Sequence, residues 1–139
     1  MTNTAHIRLL TPLEHASDTF TAVVSLANDD DPMTLRERIA NIERIELHFP
    51  HFTDGRAYSQ AYLLRRRLGF VGDLRATGDV LVDQLQQMER MGFSSAVLAD
   101  DAQVADAQRQ LERFSAFYQA DLVEATAGHA LPVHVRSTR

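Results

Sequence analysis

The phrase RLGF at residues 67–70 returns as RMGF at residues 90–93, and this repeat constrains the fold more than any other feature of the chain. The two copies lie 23 residues apart, and each ends a segment of helical period and leads into a short apolar run. That offset fits one strand, one helix and their connections. The repeat therefore predicts successive βα units with parallel strands and right-handed crossovers.

Four short runs rich in branched residues predict the strands of this array: TAVVSLA at 21–27, RIELHF at 44–49, DLRAT at 73–77 and SAVLA at 95–99. A segment of helical period follows each run, and this alternation is typical of an α/β fold. Two architectures fit four such units: a small open sheet of the flavodoxin type, or half of a (βα)₈ barrel. Because a half-barrel has open edges that a second copy would cover, we expect a homodimer.

The residues at the ends of the predicted helices support these boundaries. Aspartates stand at helix starts, where their side chains cap free backbone N–H groups: Asp31, Asp79, and Asp100 or Asp101. Gly69 and Gly92 follow two helices at the position that favours a left-handed conformation. The run of arginines at 65–67 lies in a last helical turn, where cations interact favourably with the helix dipole, so we expect a structural role for it.

Length and composition predict one α/β domain over residues 1–139, with a polar leader of about residues 1–18 and a short tail of about residues 121–139. The tail contains LPVHV at 131–135, a candidate strand that could cover a sheet edge. No apolar run approaches the ~20 residues that span a bilayer, and the first residues lack a signal-peptide core. We therefore expect a cytoplasmic protein without membrane contact.

Three features of the composition exclude classes of chemistry. The chain has no cysteine, which removes disulfides, thiolate nucleophiles and cysteine-bound clusters. All 14 basic residues are arginine, which removes Schiff-base lysines and Walker-type phosphate loops. The net charge of −5 argues against an extended nucleic-acid surface. Arginine remains, and its planar guanidinium group can bind an oxyanion through two parallel hydrogen bonds.

Polar residues concentrate where the predicted strands end, which is where parallel sheets place their ligands. Arg56 and Arg75 are the candidate anion-binding groups, because no helix dipole calls for a cation at either position. The residues that could assist them by orienting the arginines or moving protons are Asp54, Tyr58, Ser59, Thr77, Asp79 and Asp83. We predict Asp54, Asp79 and Asp83 as catalytic candidates, and Arg56, Tyr58, Ser59, Arg75 and Thr77 as binding candidates.

Structural explanations for the same residues stay open. Asp79, Asp100 and Asp101 could serve as helix caps alone, and Arg56 and Arg75 could pair with Asp54 or Asp79. The spacing of His48, His51 and Asp54 permits a metal ion in principle, but Pro50 interrupts it and no further ligand is identifiable, so we predict no metal site. A dinucleotide-binding glycine fingerprint is absent.

The central block resembles a bacterial family of unknown function whose members are labelled as oxidoreductases of sulfite reduction. Three phrases carry the resemblance: FPHFTDGRAYS at 49–59, LRRRLGFVGDLRATGDV at 64–80 and DQLQQMERMGF at 83–93. The resemblance implies a link to assimilatory sulfite reduction. It names no cofactor, and an enzyme of this kind would need a borrowed flavin or nicotinamide.

Two hypotheses of different classes follow. The first is an accessory protein of sulfite reduction that binds a small oxyanion or an anionic cofactor at the strand ends through Arg56 and Arg75. The second is a non-catalytic interaction protein that docks on sulfite reductase or its electron donor through acidic loops.

Overall fold

The structure is a computed structural model of the protein and describes residues 7–19 and 22–113. Five parallel strands form one sheet in the order β1-β5-β4-β3-β2. The strands are β1 (Arg8–Leu10), β2 (Val23–Leu26), β3 (Arg44–Phe49), β4 (Asp73–Gly78) and β5 (Ser95–Val97). The sheet is open and is not closed into a barrel, so the α/β prediction with a small parallel sheet is confirmed.

Helices of three kinds connect the strands. Helix α1 (Pro12–Ser17) follows β1, and a 3₁₀ helix (Pro32–Asn41) follows β2. Helix α2 (Arg56–Tyr62) follows β3 and continues as a π-helical segment (Leu63–Arg67). A 3₁₀ turn (Val82–Gln84) leads into α3 (Leu85–Arg90), and α4 covers residues 101–113.

The apolar face of the sheet contains the core. Alternate residues of the strands point to this face, among them Ile45, Leu47 and Leu74, which have no exposed surface. Ala57, Ala61 and Leu64, from α2 and the π-helical segment, are buried as well. Tyr58 of α2 packs edge-on against Phe49, the last residue of β3. Burial of these side chains is the main favourable term in folding, at roughly 25 cal/mol per Å² of apolar surface.

The opposite face of the sheet is polar, which is unusual for parallel strands. Arg44, Glu46 and His48 alternate along β3, and the strand register places them beside Asp73, Arg75 and Thr77 of β4. Ser25 of β2 and Ser95 of β5 belong to the same face. These eight residues are called the polar face below. Helix α1 lies against it, because His15 and Asp18 contact Arg75.

The sequence located four of the five strands within two residues at each end. It assigned no element to the leader, where the structure has β1 and α1. The start of α1 carries a capping box, in which Thr11 accepts the Glu14 N–H and Glu14 accepts the Thr11 N–H. The predicted helix after Asp31 is a 3₁₀ helix, with the expected Asp31 cap and Pro32 in the first turn. The candidate strand at 131–135 lies outside the described residues.

The repeated phrases end their helices as expected. Gly69 has φ +70° and Gly92 has φ +108°, values that side chains disfavour. Arg65 joins the two repeats: its Nε donates to the Gly92 carbonyl at 2.8 Å, and its Nη1 donates to the carbonyls of Phe70 and Gly72. Burial lowers the pKa of Arg65 from its ordinary value. Its predicted structural role is thus supported by three specific bonds.

The chain divides into two compact units, Met1–Ala107 and Gln108–Arg139. The whole sheet belongs to the first unit, and only the helical residues 108–113 of the second are described. The prediction of a single domain with a leader and a tail remains a prediction. Among the described residues, no helix has the length and hydropathy to cross a bilayer.

Candidate functional site

Arg75 occupies the centre of the polar face. It is the third residue of β4 and has no exposed surface. Its Nε donates to Ser95 Oγ at 2.8 Å, and its Nη1 lies 2.9 Å from Nδ1 of His15. Its Nη2 lies 3.0 Å from Asp73 Oδ2 and 2.8 Å from Asp18 Oδ2. All three guanidinium nitrogens therefore already have partners within the protein.

The guanidinium group of Arg75 determines the hydrogen-bond role of Nδ1 of His15. A guanidinium group has donors and no acceptor, so Nδ1 of His15 must accept the hydrogen bond. Nε2 of the same ring lies 3.8 Å from Oε2 of Glu46, which is beyond hydrogen-bonding distance.

The positive charges of Arg44 and Arg75 are balanced by three carboxylates, those of Asp18, Glu46 and Asp73. Arg44 is 5% exposed, and it lies 3.3 Å from Asp18 through Nη1 and 3.0 Å from Glu46 through Nε. The hydrogen bond from Arg75, helped by the charges of Arg75, Arg8 and Arg44, lowers the pKa of Asp18 against the opposing effect of desolvation. The result is a compact network in which Asp18 connects the end of α1 to the sheet.

Arg56 belongs to a different cluster. It begins α2, is mostly exposed, and pairs with Asp54 through Nη2 at 2.9 Å and Nε at 3.2 Å. The backbone N–H of Arg56 also donates to Asp54, and Asn28 bonds the same carboxylate. The side-chain and backbone hydrogen bonds from Arg56 lower the pKa of Asp54 from 3.8 to about 2.

The two arginines predicted to bind an anion, Arg56 and Arg75, thus pair with different carboxylates. The sequence suggested that both stand at strand ends, but β4 continues to Gly78, which leaves Arg75 in the middle of its strand. Arg75 is bonded to Asp18 and Asp73, and Arg56 is bonded to Asp54. Of the two carboxylates that the sequence offered as possible partners, Asp54 pairs with Arg56, whereas Asp79 is not among the acidic partners of Arg75, which are Asp18 and Asp73.

Asp79 is not the helix cap that its position suggested. Its Oδ2 accepts the backbone N–H of Phe52 at 2.9 Å, and the next helical turn begins only at Val82. The reason is the turn at Gly78, whose φ of +91° redirects the chain so that the Asp79 N–H donates to the Phe49 carbonyl. Asp79 therefore ties the loop after β4 to the loop after β3. Asp100 does cap α4, since it accepts the N–H of Gln103 at 2.9 Å.

The remaining predicted residues lie in different environments. Tyr58 packs against Phe49 and Phe93, and its buried hydroxyl has no hydrogen-bond partner among the described residues. Burial raises the pKa of Tyr58 above its ordinary value. Ser59 and Asp83 are exposed. The hydroxyl of Thr77 lies 3.5 Å from Nδ1 of His48 on the polar face.

A cleft opens at the carboxyl ends of β4 and β5, next to α1. Its volume is about 410 Å³. It is lined by Pro12, His15, Thr77, Gly78, Asp79, Val80, Leu81, Val97, Leu98, Ala99 and Gln103. Thr77 and Asp79 are therefore the two sequence-predicted residues that this cleft brings together.

Acidic side chains are exposed on the loops at the same edge of the sheet, and on the first residue of α4. We call this set the acidic edge, and it consists of Asp29, Asp30, Asp79, Asp100 and Asp101. The loops that carry them follow β2, β4 and β5, whose carboxyl ends share one edge because the strands are parallel. Within the described chain, no group of three or more His, Asp or Glu residues could hold a metal ion.

Sequence reasoning missed His15, Asp18 and Asp73. Two signals were available. T-P-L-E at 11–14 has the spacing of a capping box and marks the start of α1. Alternating charges in RIELHF and DLRAT indicate a polar sheet face.

The fold and the cleft define this chain as an open parallel α/β-sheet protein with a candidate site at the carboxyl edge of the sheet. The chain belongs to the family described as "Bacterial protein of unknown function (DUF934)", whose model matches residues 23–128. No curated protein and no solved structure matches the chain.

Proposed function

We propose that the chain is an accessory protein of assimilatory sulfite reduction that docks, through the acidic edge, on a basic surface of sulfite reductase or of its electron donor. The link to sulfite reduction rests on the resemblance carried by the phrases at 49–59, 64–80 and 83–93. The docking mode rests on one observation, the exposure of five aspartates at a single edge of the sheet.

The electrostatics of this edge favour a basic partner. Charges of one sign on one surface steer a complementary surface toward it and raise the association rate, most strongly at low ionic strength. Arg56 is an exposed cation at the start of α2, which follows β3, and its charge is offset by the bonded carboxylate of Asp54. The local field is therefore negative.

Binding of a small oxyanion or an anionic cofactor through Arg56 and Arg75 is the weaker alternative. An anion would have to displace Asp54 from Arg56, and Asp18 and Asp73 from Arg75. It would also have to approach a negative surface. An enzymatic role as an oxidoreductase would require a borrowed flavin or nicotinamide, because the chain contains no cysteine.

Co-purification with sulfite reductase and with its electron donor tests the docking proposal. The informative variant carries Asp29→Lys and Asp101→Lys, because Asp30 and Asp100 bond backbone N–H groups and their loss would disturb the fold. The matched control carries Glu37→Lys and Glu112→Lys, which change the net charge equally at other exposed positions. Docking predicts that only the first variant loses the partner. Equal retention in both variants would contradict it.

Calorimetry separates the anion alternative from docking. Sulfite, sulfate, flavin mononucleotide and nicotinamide nucleotides are titrated into the wild-type protein and into the Arg56→Gln variant. Docking alone predicts no heat of binding from any of them. Saturable binding that the Arg56→Gln variant loses would support the anion site instead.

A further inference from the structure

The cleft beside α1 has the location and size of a small-molecule site. Open parallel sheets bind ligands outside the carboxyl ends of their strands, and the cleft lies at the ends of β4 and β5. Its volume of about 410 Å³ is within the range of roughly 300–1,000 Å³ found for ligand pockets. Pro12 and His15 of α1 line one side of the cleft, and Gln103 of α4 lines another.

The walls of the cleft are mainly apolar. Pro12 of α1 contributes one wall, and Leu81, Val97 and Leu98 contribute others. Leu98 is 1% exposed, so this part of the cleft is supported by the packed core. A ligand with a compact apolar body would remove surface from water on these walls.

The charged group of the cleft is a carboxylate. Asp79 lines the cleft and is an exposed residue, and its bond to the Phe52 N–H uses only part of its capacity to accept hydrogen bonds. No arginine is among the lining residues. Nδ1 of His15 is directed at the guanidinium group of Arg75 and is therefore already engaged within the protein.

We propose that this cleft binds a small organic amine, with its apolar body against Leu81 and Val97 and its ammonium group against Asp79. Thr77 and Gln103 supply neutral hydrogen-bonding groups at the same rim. Anions are disfavoured, since Asp79, Asp100 and Asp101 make this part of the edge negative. The proposal concerns a second binding event and does not depend on docking to a reductase.

Three probes that share a phenyl ring and differ in charge test the proposed charge preference: benzylamine, benzyl alcohol and benzoate. Each is titrated into ¹⁵N-labelled full-length protein, and the shifts of backbone amides are followed. Benzylamine should move the amides of Thr77, Leu81 and Val97. It should bind about fivefold more tightly than benzyl alcohol, a ratio that an exposed ion pair can supply. Benzoate should bind most weakly.

Asp79→Asn is the decisive variant, because the amide oxygen of asparagine can still accept the Phe52 N–H while the charge is lost. It should reduce benzylamine binding to the level of benzyl alcohol. Glu37→Gln also removes one negative charge, at an exposed position outside the cleft, and should change nothing. Ala99→Trp, at an exposed position on the cleft wall, should weaken binding of both benzylamine and benzyl alcohol by blocking space.

Four results would overturn the proposal. The first is the absence of any shift at millimolar benzylamine, and the second is a set of shifts that maps away from the cleft. The others are an order of affinity that does not favour the amine and a preference for the amine that survives in Asp79→Asn. Because the readout is binding of a pure probe, none of these results depends on whether the protein docks on sulfite reductase.

Discussion

Nη2 of Arg75 lies 2.8 Å from Oδ2 of Asp18, and this contact joins the centre of the sheet to the residue that ends α1. Helix α1 has no buried residue of its own. Its attachment to the polar face therefore depends on hydrogen bonds and ion pairs, chiefly those that Arg75 makes with Asp18 and His15. One buried guanidinium group thus positions α1, which forms a wall of the cleft.

Replacing Arg75 should destabilise the protein strongly. Arg75→Met keeps the length of the side chain but leaves Asp73 without its nearest cation and removes the bond to His15. Breaking a buried ion pair on one side typically costs 3–5 kcal/mol, so we expect a loss of about 3 kcal/mol in the free energy of unfolding. Urea denaturation measures it. Arg38→Met, at an exposed position, is the control and should change the same quantity by less than about 0.5 kcal/mol.

Asp54 should contribute to stability in a defined pH range. Its pKa in the folded protein is about 2, below the ordinary value of 3.8, so folding favours the ionised form. The contribution is complete above the ordinary value and is lost as the pH falls from about 4 towards 2. As the pH falls through this range, the melting temperature of Asp54→Asn should therefore decrease less than that of the wild type.

The control for this experiment is Asp83→Asn, which should keep the wild-type pH profile. Asp18 is retained in both variants, and its lowered pKa should leave some acid sensitivity. Because Arg56 is mostly exposed, added salt should shrink the difference between wild type and Asp54→Asn. Identical acid profiles in all three proteins would contradict the role assigned to the Asp54–Arg56 pair.

Gly78 should be intolerant of any side chain. Its φ is +91°, and an added Cβ would lie 2.7 Å from Cε1 of His48 and closer still to the Phe49 carbonyl oxygen. Gly78→Ala combines left-handed strain of roughly 1–2 kcal/mol with this clash, so we expect a loss of about 3 kcal/mol in unfolding free energy.

Gly55→Ala is the matched control for Gly78→Ala. Gly55 has φ −87°, and a methyl group added at that position would have nothing within 4 Å. Its stability should change by no more than about 0.5 kcal/mol. Thermal or urea unfolding compares the two variants, and equal effects would contradict a left-handed turn at Gly78.

Arg65 should require its planar fork, whereas its neighbour Arg66 should not. Arg65 bonds three carbonyls through Nε and Nη1, and a lysine ammonium cannot reproduce that geometry. Arg65→Lys should lower the free energy of unfolding by about 2 kcal/mol, because partly buried carbonyls lose their donors. Arg66→Lys should be neutral within about 0.5 kcal/mol. Similar melting temperatures for the two variants would refute this distinction.

The repeated phrase and the four apolar runs were sufficient to predict a parallel α/β sheet, because strand and helix periods are local properties of the sequence. The cap at Asp31, the cap at Asp100 and the left-handed glycines at 69 and 92 were predictable for the same reason. The role of Asp79 was not, since the partner that it bonds is the N–H of Phe52, 27 residues away in the chain.

The sequence by itself determined the fold class, the positions of β2 to β5 and the classes of chemistry that a chain without cysteine and lysine excludes. Only the tertiary structure decided where the two candidate arginines lie. Strand register places Arg75 beside Glu46 and beneath α1, and the register and the docking of α1 are set by contacts between segments far apart in sequence. An arginine in the sequence indicates that a guanidinium group will need a partner, but the fold alone determines which carboxylate pairs with it.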